Sequence, residues 1–420
     1  MALDTAARQM PARWRSTALL GVVAADGIAA NIVLPVLPFL GGDLGAGPAA
    51  IGLLFAAYPI AQFVTAPLWG RFADRFSAKR LLTMALLVIG AGHLMFAMAS
   101  SFTMLFSARV VAGLGGAVLL LVETHVVRTV PRDQRTGQLG RISAMQGVGT
   151  MLGPVLGSLL IRGGAVAVGL GAFGVAVVTL LVVALVLPGD RAEKAARESA
   201  AAPGRLSALG TAVRDSRLRA LTLYTFLGWT CFAGFAAVLP LHLEARLEVG
   251  AGTYGYILAV SGVVAFVVRG MLVGRLARRF GERRLVSCGA LFIAAAMLLT
   301  VVVPSVAWTP LLPFLYACGA GLFFPSLMTE ITARAGDQAV GSVIGGITMA
   351  STAGVLAGPL ALGFLTQFGG QVAPFLTGGL LLTVVAVLAF VTLRSDRKDG
   401  TDVHNPVEAA DLGANGGDRR

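Results

Sequence analysis

Asp26 is an acidic residue inside a long apolar run, about ten residues after the run begins near residue 17. In a helix that rises about 1.5 Å per residue, it would lie about 15 Å deep. A carboxylate at the centre of a bilayer costs about 2.5–3.5 kcal/mol, so such groups face a protein interior or a wet cavity. Asp26 could therefore carry a proton across a membrane. A satisfied structural acid is the alternative.

Arg109 and Glu123 are charged residues in the fourth apolar run. Arg109 either faces the interior, where it could switch the charge state of a nearby Asp26, or extends to the membrane interface. Glu123 lies within about 40° of the same helix face and about 21 Å further along. It is either an interfacial acid or a second proton site. Asn31 and His93 could line a cavity, and a structural histidine is the alternative for His93.

The segment Gly70–Leu81 is a basic turn between two apolar runs, and Gly274–Leu285 repeats its pattern at a constant offset of 204 residues. Asp74 is the acid of this turn. It is either a solvated loop acid, contributing well under 1 kcal/mol per pair, or a latch that meets an arginine and the positive end of another helix. The predicted latch residues are Gly70, Asp74, Arg75, Lys79 and Arg80.

The composition indicates a polytopic membrane protein. The 420 residues are 56% hydrophobic and 13% charged, with a mean hydropathy of +0.81, whereas soluble domains carry about 25% charged residues. Twelve apolar segments are each long enough to span a bilayer. They run over residues 17–40, 50–69, 80–100, 103–127, 142–161, 165–188, 218–242, 252–273, 285–304, 309–331, 340–367 and 371–393.

The basic residues indicate the topology. Of the 33 Lys and Arg residues, 29 lie in the termini and in alternate loops, so both termini are predicted to be cytoplasmic. The net charge of +12 therefore reflects membrane orientation and does not indicate nucleic-acid binding.

The duplication divides the chain into two halves of six segments. Gly153-Pro154 recurs as Gly358-Pro359 at an offset of 205. Because six is even, both halves enter the membrane from one side, and transporters built in this way bind substrate between the halves near the midplane. The predicted domains are an N-terminal half (1–188), a cytoplasmic linker (189–217), a C-terminal half (218–394) and a disordered tail (395–420).

Gly149, Gly153 and Gly157 recur every four residues in the fifth apolar run, with Pro154 among them. Small residues at this spacing let two helices approach closely, and Pro154 removes a backbone donor and bends the helix. Generic tight packing accounts for the pattern. The functional interpretation adds that this seam seals one conformation against leak.

These patterns resemble the major facilitator superfamily over nearly the whole chain. The basic turn is similar to its Gly-x-x-x-Asp-Arg-x-Gly-Arg-Lys signature, although Ser77 replaces a glycine and Ala78 a basic residue. Arg109 and Gly113 match its Arg-x-x-x-Gly pattern, which implies that Arg109 faces the cavity and assists proton movement. The segments that resemble its twelve-span drug:proton antiporters, including tetracycline exporters, are Gly149–Gly157, Asp26-Gly27 and Leu34–Pro38.

The resemblance implies an all-α fold of twelve transmembrane helices in two pseudo-symmetric halves. The expected function is proton-coupled antiport in the cell (inner) membrane, exporting a small lipophilic, possibly cationic, compound by alternating access. We expect a monomer that acts on its substrate and on protons, without cofactor, metal or nucleic acid. The alternatives are a proton-coupled importer of a sugar or other metabolite, a lipid-modifying enzyme, and a non-transporting receptor. No nucleophile–base set or phosphate-binding loop favours an enzyme.

Overall fold

The computed structural model describes residues 12–187, 216–334 and 336–395, which form long helices and no strand within those ranges. The helices of the first half are α1 (Ala12–Ile32), α2 (Leu37–Asp43), α3 (Pro48–Arg75), α4 (Ala78–Ala97), α5 (Phe102–Leu114), α6 (Val118–Thr129), α7 (Arg132–Leu160) and α8 (Gly164–Val186). Those of the second half are α9 (Ser216–Leu247), α10 (Ala251–Val267), α11 (Val273–Phe280), α12 (Glu282–Thr300), α13 (Leu311–Arg334), α14 (Gly336–Gly369) and α15 (Ala373–Ser395). Ile161–Gly163 and Val306–Trp308 are 3₁₀ turns, and a π-helical segment, Val268–Leu272, joins α10 to α11.

The helices agree with the predicted all-α membrane fold. Within the described ranges, ten segments are long and apolar enough to cross a bilayer, and one of them, Gly137–Val186, contains both α7 and α8. A shorter apolar segment, Ala251–Ala265, lies in α10. Gly164, with φ +73°, lies at the start of α8, where the chain reverses. The arrangement is therefore consistent with twelve spans.

The domain boundaries stay a prediction. The predicted linker 189–217 lies outside the described residues as far as residue 215, and so does the predicted tail from residue 396 onwards. The buried side chains nevertheless form distinct cores. One surrounds Leu82 and Val122 in the first half, and another surrounds Met297 and Phe323 in the second.

Two predicted spans are interrupted near their middle. The first breaks between Ile32 and Leu37, and the fourth breaks between Leu114 and Val118. Pro35 lies in the first break and has no backbone N–H to donate. In the second break, Gly113 and Gly115 allow α3 and α4 to pass close by on either side. A Cβ on Gly113 would lie 2.8 Å from the Cβ of Ala61, and one on Gly115 would lie 3.0 Å from the backbone nitrogen of Ile89.

Among the described glycines, those that pack closely against the other half lie towards one end of the bundle. We call the end where Phe76 and Ser77 join α3 to α4 the turn side, and the opposite end the far side. On the far side, a Cβ on Gly52 of α3 would lie 3.0 Å from the carbonyl carbon of Pro359 of α14. Likewise, a Cβ on Gly255 of α10 would lie 2.9 Å from the Cβ of Ser158 of α7.

At the turn side, glycine packing reports no contact between the halves among the described residues. Added Cβ atoms would meet no atom within 4 Å at four glycines near that end: Gly70, Gly137, Gly140 and Gly274. At the far side, Arg162, in the turn between α7 and α8, donates a hydrogen bond to the hydroxyl of Tyr256 of α10. The contacts between the halves that glycine packing and this hydrogen bond report therefore lie towards the far side among the described residues.

Candidate functional site

Four polar side chains from four helices are buried together in the first half. Asp26 of α1, Tyr58 of α3, His93 of α4 and Arg109 of α5 are 8%, 9%, 2% and 3% exposed. Asp26 and Arg109 both lie within electrostatic range of Tyr58, and His93 lies within range of Arg109. We call these four residues the polar cluster. It brings together three predicted site residues and one, Tyr58, that sequence reasoning missed.

Arg109 does not extend to the membrane interface. Its guanidinium carbon lies 5.0 Å from the centre of the Tyr58 ring, in a cation–π contact. Such a contact contributes about 0.5–2 kcal/mol, with the larger value for desolvated sites. Its Nε and Nη1 atoms are buried and have no hydrogen-bond acceptor among the described residues. Arg109 therefore holds a charge in the interior with donors still available.

Asp26 and Arg109 are neighbours of the same tyrosine but are not paired with each other. Among the residues that the structure describes, no hydrogen bond or ion pair engages the Asp26 carboxylate. The Nε2 atom of His93 is buried and likewise has no partner within the described ranges. Unmade hydrogen bonds at buried groups cost about 1–3 kcal/mol each. The polar cluster is therefore a set of buried groups whose hydrogen bonds are not all made by the described residues.

A polar stripe on α3 connects the polar cluster to the break between α5 and α6. Its members, Tyr58, Gln62, Thr65 and Trp69, are spaced at i, i+4, i+7 and i+11 and so lie on one helix face. Trp69 donates from Nε1 to the Leu114 carbonyl at 2.8 Å, and Gln62 donates from Nε2 to the Gly116 carbonyl. These bonds satisfy carbonyl groups that the end of α5 leaves without helical partners. The spacing of polar residues in an otherwise apolar span was the signal that could have identified Tyr58.

The predicted glycine seam lies in the contact between α7 and α1. A Cβ on Gly153 would lie 2.7 Å from the Cβ of Asn31 and 2.9 Å from the Ile28 carbonyl oxygen. Gly149 and Gly157 similarly approach the backbone of α1 at Ala24 and Ile32. Pro154 lies within α7, and the hydroxyl of Ser158 donates to its carbonyl at 2.7 Å. The seam therefore allows backbone-to-backbone packing next to the helix that carries Asp26.

Asn31 takes part in this seam. Its side-chain amide donates to the Gly27 carbonyl at 2.7 Å, within its own helix. Gly27 in turn packs against α7, because an added Cβ would lie 3.2 Å from the Gln146 carbonyl oxygen. The side-chain oxygen of Gln146 is itself buried without a donor among the described residues. Polar groups of α1 and α7 thus adjoin the position of Asp26.

The predicted latch residues lie at the turn side. Asp74 accepts a hydrogen bond from Nη2 of Arg128 at 2.6 Å, and Arg128 also donates to the Ala73 carbonyl. The Asp74 side chain is 66% exposed. Arg128 follows Glu123 on α6, and this ion pair joins α3 to α6 within the first half. Sequence reasoning expected an arginine partner for Asp74 but did not identify Arg128.

The remaining latch residues flank this ion pair. Gly70, in the last turns of α3, has open space around it, and Arg75 ends that helix. Lys79 and Arg80 lie in the first turn of α4, where Arg80 donates its backbone N–H to the Ser77 hydroxyl at 3.4 Å. Glu123 is half-buried on α6, one helix beyond the polar cluster. No group of three or more potential metal ligands occurs among the described residues.

Comparisons with known proteins agree with this architecture. The family model described as "Major Facilitator Superfamily" matches residues 19–354 and 265–410. "Tetracycline resistance protein, class E" of Escherichia coli is 28% identical over 359 residues, which cover 82% of this chain and 86% of the relative. "Multidrug resistance protein 2" of Bacillus subtilis (strain 168) is 22% identical over 368 residues, covering 86% and 90%.

Solved structures share the fold at lower identity. The nucleoside transporter NupG superposes with a TM-score of 0.71 at 14% identity, covering 90% of this chain and 99% of that one. The human organic anion transporter MFSD10 (TETRAN) superposes with a TM-score of 0.63 at 21% identity, covering 90% and 100%.

Proposed function

Because the chain belongs to the Major Facilitator Superfamily, we propose that it is a proton-coupled antiporter that exports a small lipophilic compound. Family membership and the apolar helices make it a multi-pass membrane transporter rather than an enzyme. The proposal adds three finer points: the coupling ion, the direction of transport and the kind of substrate.

The observation that carries the proposal is the unpaired carboxylate of Asp26 in the polar cluster. The carboxylate has no bonded partner among the described residues, and Asp26 is 8% exposed. Charge at such a site is costly, so protonation of Asp26 changes the energy of the conformation that buries it. A group with this property couples proton binding to helix movement.

The glycine seam transmits such a movement. α1 carries Asp26, and the contact at Gly149, Gly153 and Gly157 leaves no side-chain layer between α1 and α7. α7 also packs on α10 of the other half, through Ser158 and Gly255. A shift of α1 on protonation is therefore passed to the contact between the halves.

We propose that the described conformation is inward-open, because the contacts between the halves that glycine packing reports lie towards the far side. With the predicted cytoplasmic termini, the turn side faces the cytoplasm and the far side faces outwards. A substrate would then enter from the cytoplasm or the inner leaflet. The Asp74–Arg128 pair lies at this entrance, where we propose that it stabilises closure when the halves rock together.

The names of the relatives support drug-like substrates. Proteins named for tetracycline resistance and multidrug resistance match more than four-fifths of this chain. We therefore propose that the substrate is a lipophilic drug or a similarly shaped cellular compound.

Transport into vesicles tests direction and coupling together. In proteoliposomes with an acidic lumen, an antiporter accumulates ethidium or tetracycline inside and dissipates part of the pH gradient. A proton symporter, as in the importer alternative, accumulates its substrate only when the lumen is alkaline. Protein-free liposomes are the control, and equal accumulation with a protonophore present would refute proton coupling.

A further inference from the structure

Four aromatic side chains form a continuous surface between α9 and α13 in the second half. Trp229 of α9 stacks on Phe324 of α13, with ring centres 4.3 Å apart, and Phe232 of α9 stacks on Tyr316 of α13 at 4.6 Å. Phe232 also meets Phe324 edge to face at 5.4 Å. We call these four residues the aromatic wall.

The aromatic wall is fixed in place from behind. The hydroxyl of Tyr316 donates to the Phe232 carbonyl, which ties α13 to α9. Fully buried rings support the wall. Phe235 packs against Tyr316 with centres 4.8 Å apart, and Phe323 packs against Phe324 at 5.2 Å. Because these rings are held by their neighbours, few side chains lose conformational freedom when a ligand stacks on them, and the entropy cost of binding is small.

The aromatic wall lies partly on a helix, α9, that adjoins the first half. All four side chains are half-buried. α9 packs against α13, α14 and α15 and also contacts α2 and α3 of the first half. Between Leu218 and Leu243 it exposes a single large apolar side chain, Leu223, among the described residues. The lipid-facing α15, by contrast, exposes such side chains along its length, including Leu380, Val387 and Val391.

The wall is uncharged, unlike the polar cluster of the first half. No acidic or basic residue lies between Arg219 and His242 of α9, or between Leu311 and Thr329 of α13. Aromatic rings favour offset-stacked or edge-to-face partners, with centres about 4.5–7 Å apart. Their negative faces also attract cations. A surface built from four such rings therefore selects for flat, extended π-systems and tolerates a positive charge.

We propose that the aromatic wall is the substrate-contact surface of the cavity, and that the substrates are planar polycyclic compounds that stack on Trp229, Phe232 and Phe324. This inference rests on the proposed function, because it assigns the substrate class of the same cavity. Under this proposal, the first half contains the proton site and the second half binds the flat substrate.

Binding to the purified full-length protein in nanodiscs, without a proton gradient, tests the wall. The probes are ethidium, a planar aromatic cation, and tetraphenylphosphonium, a cation of equal charge whose rings are not coplanar. Trp229→Ala and Phe324→Ala should each weaken ethidium binding about tenfold, equivalent to about 1.4 kcal/mol. Trp229→Phe should lose less than threefold, because a ring remains. Tetraphenylphosphonium affinity should change less than twofold in every variant.

Trp308→Ala is the matched control, because Trp308 is 58% exposed on the far side and should not affect either probe. Tryptophan fluorescence provides a second measurement, which does not require the alanine variants to fold. Ethidium should quench the wild type more strongly than Trp229→Phe. Thermal unfolding of each variant separates lost binding from lost structure.

The outcomes separate the two proposals. Wild-type ethidium affinity in both alanine variants, equal losses for both cations, or equal quenching in Trp229→Phe would overturn the aromatic wall. None of these results would contradict proton-driven transport measured in proteoliposomes. Stacking-dependent binding by a protein that shows no proton-driven accumulation would refute antiport and leave the aromatic wall intact.

Discussion

At the residue scale, the central feature is a tyrosine between an acid and a base. Sequence reasoning placed Asp26 and Arg109 as possible direct partners, whereas the structure places both within range of Tyr58 without an ion pair between them. A direct pair would hold Asp26 in its charged form. We propose that separation by a tyrosine leaves the carboxylate of Asp26 able to take up a proton while Arg109 stays in contact with the ring.

Tyr58 provides a residue-scale test of that anchoring. Tyr58→Phe keeps the ring under the guanidinium, so its free energy of unfolding should stay within about 0.5 kcal/mol of the wild type. Tyr58→Leu removes the ring, so it should lose about 1–2 kcal/mol. Chemical denaturation in detergent measures both. If the hydroxyl also relays protons, Tyr58→Phe should shift the pH profile of uptake, whereas equal stabilities for the two variants would show that Arg109 does not depend on the ring.

At the element scale, hydropathy predicted the fold because each helix must cross an apolar layer. The predicted segment 80–100, for example, corresponds to α4 (Ala78–Ala97), and the all-α membrane class is confirmed. The breaks in the first and fourth spans were not predicted. At the break in the fourth span, Trp69 and Gln62 of α3 donate hydrogen bonds to the freed carbonyls from a distant part of the chain.

The candidate site was partly predictable for a related reason. Charged residues in apolar runs stand out, so Asp26 and Arg109 were found from sequence. Tyr58 was missed because a tyrosine was counted as apolar, although its spacing with Gln62 and Thr65 on one face of α3 was a signal of a polar stripe. Arg128 was missed because its contact with Asp74 joins two loop ends that are 54 residues apart.

The glycine seam gives an element-scale prediction with a control in the same helix. Gly153→Ala would place a Cβ 2.7 Å from that of Asn31, and overpacking of this kind costs about 1–3 kcal/mol. Gly147→Ala has nothing within 4 Å of the added atom. Since alanine favours helix by about 1 kcal/mol over glycine, this change should be neutral or stabilising. Equal unfolding temperatures for the two variants would argue against a tight α1–α7 contact.

At the scale of the whole molecule, we propose that the structure represents one end of a rocking movement. The far side is closed by backbone contacts and by the Arg162–Tyr256 pair, in which the guanidinium carbon lies 5.6 Å from the ring centre. We propose that the turn side is open in this conformation. An alternating-access transporter must exchange these two conditions, so closure of the turn side requires the far-side contacts to separate.

Spin-label distances test this exchange in a variant whose three native cysteines are replaced. One pair, Arg71→Cys with Arg278→Cys, reports the turn side, and Gly163→Cys with Gly252→Cys reports the far side. All four positions are exposed. Arg162→Ala removes a far-side contact, so it should lengthen the far-side distance and shorten the turn-side distance relative to Arg162→Lys. Distances that change together in the same direction would contradict rocking of two rigid halves.

The most direct test of the central claim is proton-driven transport by Asp26→Asn. The amide keeps the shape of the side chain but cannot release a proton. In proteoliposomes with an acidic lumen, the variant should lose uphill accumulation of ethidium while retaining downhill exchange between labelled and unlabelled substrate. Asp43→Asn, at an exposed acid at the end of α2, should behave as wild type. Undiminished uphill accumulation by Asp26→Asn would contradict the account and move the proton site elsewhere, with Glu123 as the next residue to test.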